Sequence, residues 1–209
     1  MEISSIANYS ISFLLLFISL SIHEYGHAMT AYKLGDDTPY LCGRVSINPF
    51  VHIDIMGTIL FPLICIFSSA GILFGWGKPV PMDTSKFKHP GFYSVLAGSA
   101  GVFGNLLLCL IASLVLVFFP SCGLLAYRLI ELNALLIAFN LIPLPGLDGF
   151  YFFKYFFKLS QSTITFLENW GFFIILILIY IPIVRALLSM LVRGILTFFI
   201  QGLPSLLGY

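Results

Sequence analysis

Hydrophobic residues in this chain fall into long runs with few charges, separated by short polar breaks, and the run lengths predict membrane helices. The first run, Ile11 to Ala31, belongs to a helix expected from about Ile3 to Leu34, where Gly35-Asp36-Asp37 stops it. The runs Phe92–Phe119 and Leu124–Ile142 are each long enough to cross hydrocarbon roughly 30 Å thick, and Pro120 to Gly123 between them predicts a helical hairpin. A last helix is expected over about Ile164 to Leu191, kinked at Pro182. Beyond it the tail to Tyr209 stays apolar, with a pattern that fits crossing or lying flat. The stretch Ile55–Phe74 is interrupted by Gly57, Pro62 and Gly71, so it fits either a span or a re-entrant segment. Between Asp36 and Asp54, the short alternation around Cys42 to Phe50 predicts a small strand or hairpin at the interface.

Composition narrows the class. Only 9% of residues are charged and 59% are hydrophobic, against about 25% charged in soluble domains. The fold class expected is therefore an all-α polytopic membrane protein: a transmembrane helix bundle with a re-entrant or extended membrane segment and room for a short interfacial β-hairpin. One membrane-embedded domain is expected over residues 1–209, with a core of about 3–158 and C-terminal helices of about 164–209. The net charge of +1 carries no footprint for nucleic acid, which is not expected as a partner. Cys42, Cys65, Cys109 and Cys122 have no CxxC spacing and predict no disulfide framework. The first ten residues hold Glu2 and no Lys or Arg, so the first helix reads as retained rather than as a cleaved leader.

Near the end of the first run the residues are His23-Glu24-Tyr25-Gly26-His27. Ionisable side chains at membrane depth are costly and need a partner or a wet cavity. Histidines at i and i+4 lie on one helix face, and both imidazoles can reach one Zn²⁺. Glu24 lies about 100° around the helix from His23, where it can reach water at the metal rather than join as a ligand. Catalytic zinc usually takes a third protein ligand. Among the remaining acidic residues, Asp148 alone directly follows a membrane stretch, through Pro143-Leu144-Pro145-Gly146, and it ranks above Asp54 or His52.

His23 to His27, together with Asn140-Leu-Ile-Pro-Leu-Pro-Gly-Leu-Asp148-Gly149, resembles the site-2 protease (M50) family of intramembrane zinc metalloproteases. That family pairs a membrane-embedded HExxH with a later segment ending in LDG. Ala100-Gly-Val-Phe-Gly-Asn105 resembles the family's AGPxxN, with Val102 where the pattern has proline. The matched order runs from about Ile11 to Phe152 and is similar to short members without PDZ or CBS domains. The resemblance implies one Zn²⁺ held by His23, His27 and Asp148, with Glu24 as acid/base. Asn140 and Asn105 are candidates to bind substrate backbone or an oxyanion.

Topology tests this reading. Asp148 meets the histidines only if the chain between Ile55 and Pro90 returns to the face where the first helix ends. Residues 75–90, if extended, cover about 50 Å, enough to recross the bilayer. Lys33, Arg44, Lys78, Lys86, Lys88, Lys154 and Lys158 then share one face, which is cytoplasmic by the positive-inside rule, with the N-terminus outside. The expected function is zinc-dependent endoproteolysis of transmembrane protein or peptide substrates within the bilayer of the cell (inner) membrane. The alternatives are a non-catalytic zinc-binding scaffold or chaperone, and a metal transporter using the same three side chains.

Overall fold

The first apolar run forms α1, Ile3–Lys33, and its last turn carries Lys33, which suits the negative end of the helix dipole. The structure, a computed structural model, describes residues 3–67 and 75–208. Among these, five helices are long and apolar enough to cross a membrane: Asn8–Lys33, Pro90–Phe118, Pro120–Asn140, Gln161–Tyr180 and Pro182–Leu206. No described residue is in a strand. The chain is an all-α polytopic membrane protein.

After α1, a single turn, α2 (Thr38–Leu41), leads through a 3₁₀ turn at Pro49–His52 to a π-helical turn, Ile55–Leu60, that continues as α3, Phe61–Phe67. Within the described residues the π turn and α3 together cover roughly 20 Å, against the roughly 30 Å of a full span. The chain is next described at Gly75. By Trp76 it is back beside the start of the π turn, where the Trp76 N–H donates to the Gly57 carbonyl at 3.2 Å. Entry and return lie side by side, as a re-entrant segment requires. The part of the expected apolar stretch at 68–74 lies outside the described residues.

Residues 75–83 then run without helix or strand to a 3₁₀ turn at Thr84–Lys86. The Asp36 carboxylate accepts the Asp83 N–H at 2.7 Å, and the Lys86 ammonium pairs with Asp37. These contacts start α4, Pro90–Phe118, beside the end of α1, so the two helices are antiparallel. Small residues bring them close, as is usual between membrane helices. A Cβ on Gly26 would lie 2.6 Å from the Ala100 carbonyl oxygen. The chain turns at Pro120–Cys122 into α5, Gly123–Asn140, completing the expected hairpin. Leu16 and Leu20 of α1 pack with Leu136 of α5, while Cys109, Ala112, Ala126 and Ile130 join α4 to α5.

α6 (Gly149–Phe157) carries Lys154 in its last turn, and α7 (Gln161–Tyr180) starts from Ser160, whose hydroxyl accepts the Thr163 N–H. The helix expected to kink at Pro182 is instead broken in two. Ile181 is extended at φ −74°, ψ 121°, and α8 begins at Pro182 and runs to Thr197. Proline has no N–H to continue α7, and its ring pushes the preceding residue out of helical geometry. The tail packs against the bundle: a π turn, Phe198–Gly202, leads to α9, Leu203–Leu206, with Phe199 buried against α4 and α5. Its carbonyl accepts the Ser113 hydroxyl.

The interfacial hairpin expected near Cys42 to Phe50 does not form. The Arg44 N–H donates to Pro39 O and the Ser46 N–H to Arg44 O, so backbone donors that a ladder would need are used locally. Arg128 of α5 donates to the Asn8 side chain on α1 at 3.0 Å.

Candidate active site

The candidate ligands come from two distant parts of the chain. His23 and His27 project from the C-terminal part of α1 and are 4% and 6% exposed. The His27 Nδ1 lies 2.7 Å from the Ala97 carbonyl of α4. A carbonyl only accepts, so Nδ1 carries the proton and Nε2 presents its lone pair to the site. Asp148 arrives from the break after α5. There the Leu144 and Leu147 amides bond back to Ile142 and Leu144 carbonyls, winding 141–149 into consecutive turns. Gly149 lets this loop close, since a Cβ there would collide with the Leu141 and Ile142 carbonyls.

The three side chains converge. The two Nε2 atoms are 3.1 Å apart, and Asp148 lies 3.1 Å from His27 Nε2 through Oδ1 and 3.6 Å from His23 Nε2 through Oδ2. Among the described residues this is the cluster of His, Cys, Asp or Glu side chains able to hold a metal ion. The spacing fits zinc: bonds of roughly 2.0–2.1 Å in a tetrahedron give ligand–ligand edges of about 3.4 Å. Asp148 Oδ2 has no hydrogen-bond partner although it is buried, as expected of an atom whose partner is an ion. The site also has built-in space. A Cβ at Gly101 of α4 would overlap the Nε2 atoms of both histidines, so only glycine leaves the centre open.

Glu24 is 8% exposed and points to a different neighbour. The extended segment after Gly75 passes it, and a Cβ on Gly77 would lie 3.1 Å from Glu24 Oε1. The two candidate substrate donors are placed differently. Asn140 gives Nδ2 to the Leu136 carbonyl of its own helix at 2.9 Å. Asn105 lies one turn beyond Gly101, is fully buried, and has no hydrogen-bond partner for either side-chain polar atom. His52 and Asp54 stand apart from the metal cluster. Burial holds the His52 imidazole below its ordinary pKa, its Nε2 donates to the Ser46 carbonyl at 2.9 Å, and Asp54 accepts the Gly57 N–H at 2.7 Å. At the rim, the bond from Lys86 holds the Asp37 carboxyl below the usual carboxylate range.

Sequence reasoning missed Gly101 and Arg44. The first sat inside the Ala100–Asn105 motif, which pointed to Asn105 alone. Arg44 read as one more charge on a basic face, yet it is 5% exposed and bonds the carbonyls of Val51, Lys78 and Pro79.

Neither a family model nor a solved structure matches the chain. Curated relatives do. The chain is 36% identical over 181 residues to "Putative zinc metalloprotease YwhC" of Bacillus subtilis (strain 168), covering 80% of this chain and 79% of that protein. It is 28% identical over 173 residues to a Mycolicibacterium smegmatis protein of the same description, Rip2, covering 79% of this chain and 64% of that protein. Against Rip2 of Mycobacterium tuberculosis the figures are 31% over 144 residues, 64% of this chain and 52% of that protein. At the identity and coverage shared with YwhC, the chain belongs to the YwhC family of zinc metalloproteases.

Proposed function

We propose that this zinc metalloprotease is an intramembrane endopeptidase of the short site-2 protease (M50) type. It hydrolyses peptide bonds in or near transmembrane segments of membrane-protein substrates, as a step of regulated proteolysis. The observation that carries the reading is the convergence of His23, His27 and Asp148 within 4.8 Å of one another, buried among helices long enough to cross a membrane. In this reading the whole chain is one membrane-embedded domain in the cell membrane. The active site lies towards the cytoplasmic face and the N-terminus outside, in line with the basic residues around Lys33, Lys86 and Lys154.

His23, His27 and Asp148 would hold one Zn²⁺, which when bound would polarise the scissile carbonyl and lower the pKa of water. Glu24 accepts a proton from the attacking water and delivers it to the leaving amine. The backbone near Gly77 limits where the Glu24 carboxylate swings. His27 keeps its Nδ1 proton on Ala97 O throughout, which fixes the ring. Asn105 and Asn140 are the donors available to substrate backbone or oxyanion, and Asn140 must first release the Leu136 carbonyl. Burial of the three side chains limits entry of bulk water and favours the charge interactions within the site.

A scaffold that holds zinc only for structure would close the fourth position with another protein ligand, and no fourth His, Cys, Asp or Glu joins the cluster among the described residues. Glu24→Gln separates the readings. The variant is expected to keep one zinc per chain and lose cleavage, and transmembrane substrates should accumulate in membranes of cells that express it. Wild-type cleavage by Glu24→Gln contradicts the assignment.

A further inference from the structure

The segment beside Glu24 has no helix or ladder of its own, yet it is held in place. Five of its backbone groups bond to the 44–58 region. The Trp76 N–H donates to Gly57 O at 3.2 Å, and the Trp76 carbonyl accepts from the Thr58 hydroxyl at 2.8 Å. The Lys78 N–H donates to His52 O at 2.9 Å, and the Lys78 carbonyl accepts from Arg44 Nη2 at 3.2 Å. In an extended chain, alternate residues direct their backbone groups to opposite sides. Residues 76 and 78 therefore face the 44–58 region, while Gly77 lies against Glu24.

Arg44 ties the segment down at two successive residues. Nη2 also reaches Pro79 O at 3.1 Å, and Nη1 reaches Val51 O, so one guanidinium joins the strap to the chain before the re-entrant turn. Among the described residues no carboxylate forms an ion pair with it, although the Glu24 carboxylate lies near enough to feel its charge. A buried cation is costly to keep unless hydrogen bonds satisfy it. Here three carbonyls do so, and the planar fork reaches all of them at once, which a lysine ammonium does less well.

From this geometry we infer that Arg44 is a positioning residue: it clamps the 76–79 strap against Glu24, and so fixes the carboxylate towards the metal cluster without touching substrate. The inference rests on the reading of Glu24 as the acid/base. Its test combines amide exchange, metal content and cleavage for Arg44→Ala and Arg44→Lys in the full chain, in lipid nanodiscs with a transmembrane peptide substrate. In Arg44→Ala, exchange at the Trp76 and Lys78 amides is expected to rise about tenfold or more, as loss of bonds to a charged donor implies. Exchange in α1 and α4 and the zinc content should not change, while kcat falls at least as far. Added guanidinium should restore both protection and turnover, and Arg44→Lys should lie between.

Unchanged strap protection, or full turnover with a loosened strap, overturns the clamp. If Arg44→Ala does not fold, the same two readouts on Arg44→Lys decide the matter. Thr58→Val, which removes the neighbouring tie to Trp76, should then loosen the strap and slow turnover in the same way. Strap exchange is read whether or not peptide is cleaved. An inert wild-type protein thus counts against the protease reading, and a strap indifferent to Arg44 counts against the clamp.

Discussion

At the scale of single residues, the site depends as much on an absent side chain as on those present. Gly101 offers no ligand atom, but any Cβ there would meet both imidazoles at their Nε2 atoms. Gly101→Ala is expected to reduce zinc affinity by about 10- to 100-fold, the range usual when groups around a metal are disturbed. Equilibrium competition with a chelator checks this, and unchanged affinity would mean that the histidines meet elsewhere. His23, Glu24 and His27 were legible in the sequence because a helix fixes their relation within five residues. Asp148 was legible as the acidic residue following a broken membrane helix. Gly101 was not, because its role exists only in the register between α1 and α4, and that register is tertiary. Arg44 was hidden for the same reason: nothing near it in sequence marks Lys78 and Pro79 as its partners.

At the scale of elements, the α1–α4 contact sets the geometry of the centre. The Ala97 carbonyl orients His27, the Ala100 carbonyl sits against Gly26, and Gly101 opens the site, all within two turns of α4. Gly26→Val should force the helices apart and destabilise the protein by about 1–3 kcal/mol, the usual range for overpacking, with zinc lost at lower temperature than in wild type. Thermal unfolding in detergent with and without added zinc reads both effects, and wild-type behaviour would contradict the close contact. Helices were legible wherever apolar runs were long. The misreadings came from short-range signals with more than one physical outcome. Alternation near Val45 suggested a strand, but the local donors turn back on α2. Pro182 suggested a kink, yet Ile181 leaves helical geometry altogether, so the helix breaks.

For the whole molecule, the demand that Asp148 reach the histidines fixes how the chain crosses the bilayer. Lys86 beside Asp37 brings the start of α4 to the end of α1, and α5 then returns the chain to the two histidines. Cysteines placed at positions 86 and 154 should therefore react with an impermeant reagent from the same side of sealed vesicles. Labelling from opposite sides would break the topology on which the proposed mechanism depends. The central claim is that one zinc ion is held by two imidazoles and one carboxylate contributed from distant parts of the chain. Zinc-edge X-ray absorption on the purified protein tests it most directly. The account predicts nitrogen and oxygen neighbours at about 2.0–2.2 Å, with two imidazole signatures and a carboxylate contribution that Asp148→Ala removes. A sulfur neighbour at about 2.3 Å, or a spectrum unchanged by Asp148→Ala, would contradict it.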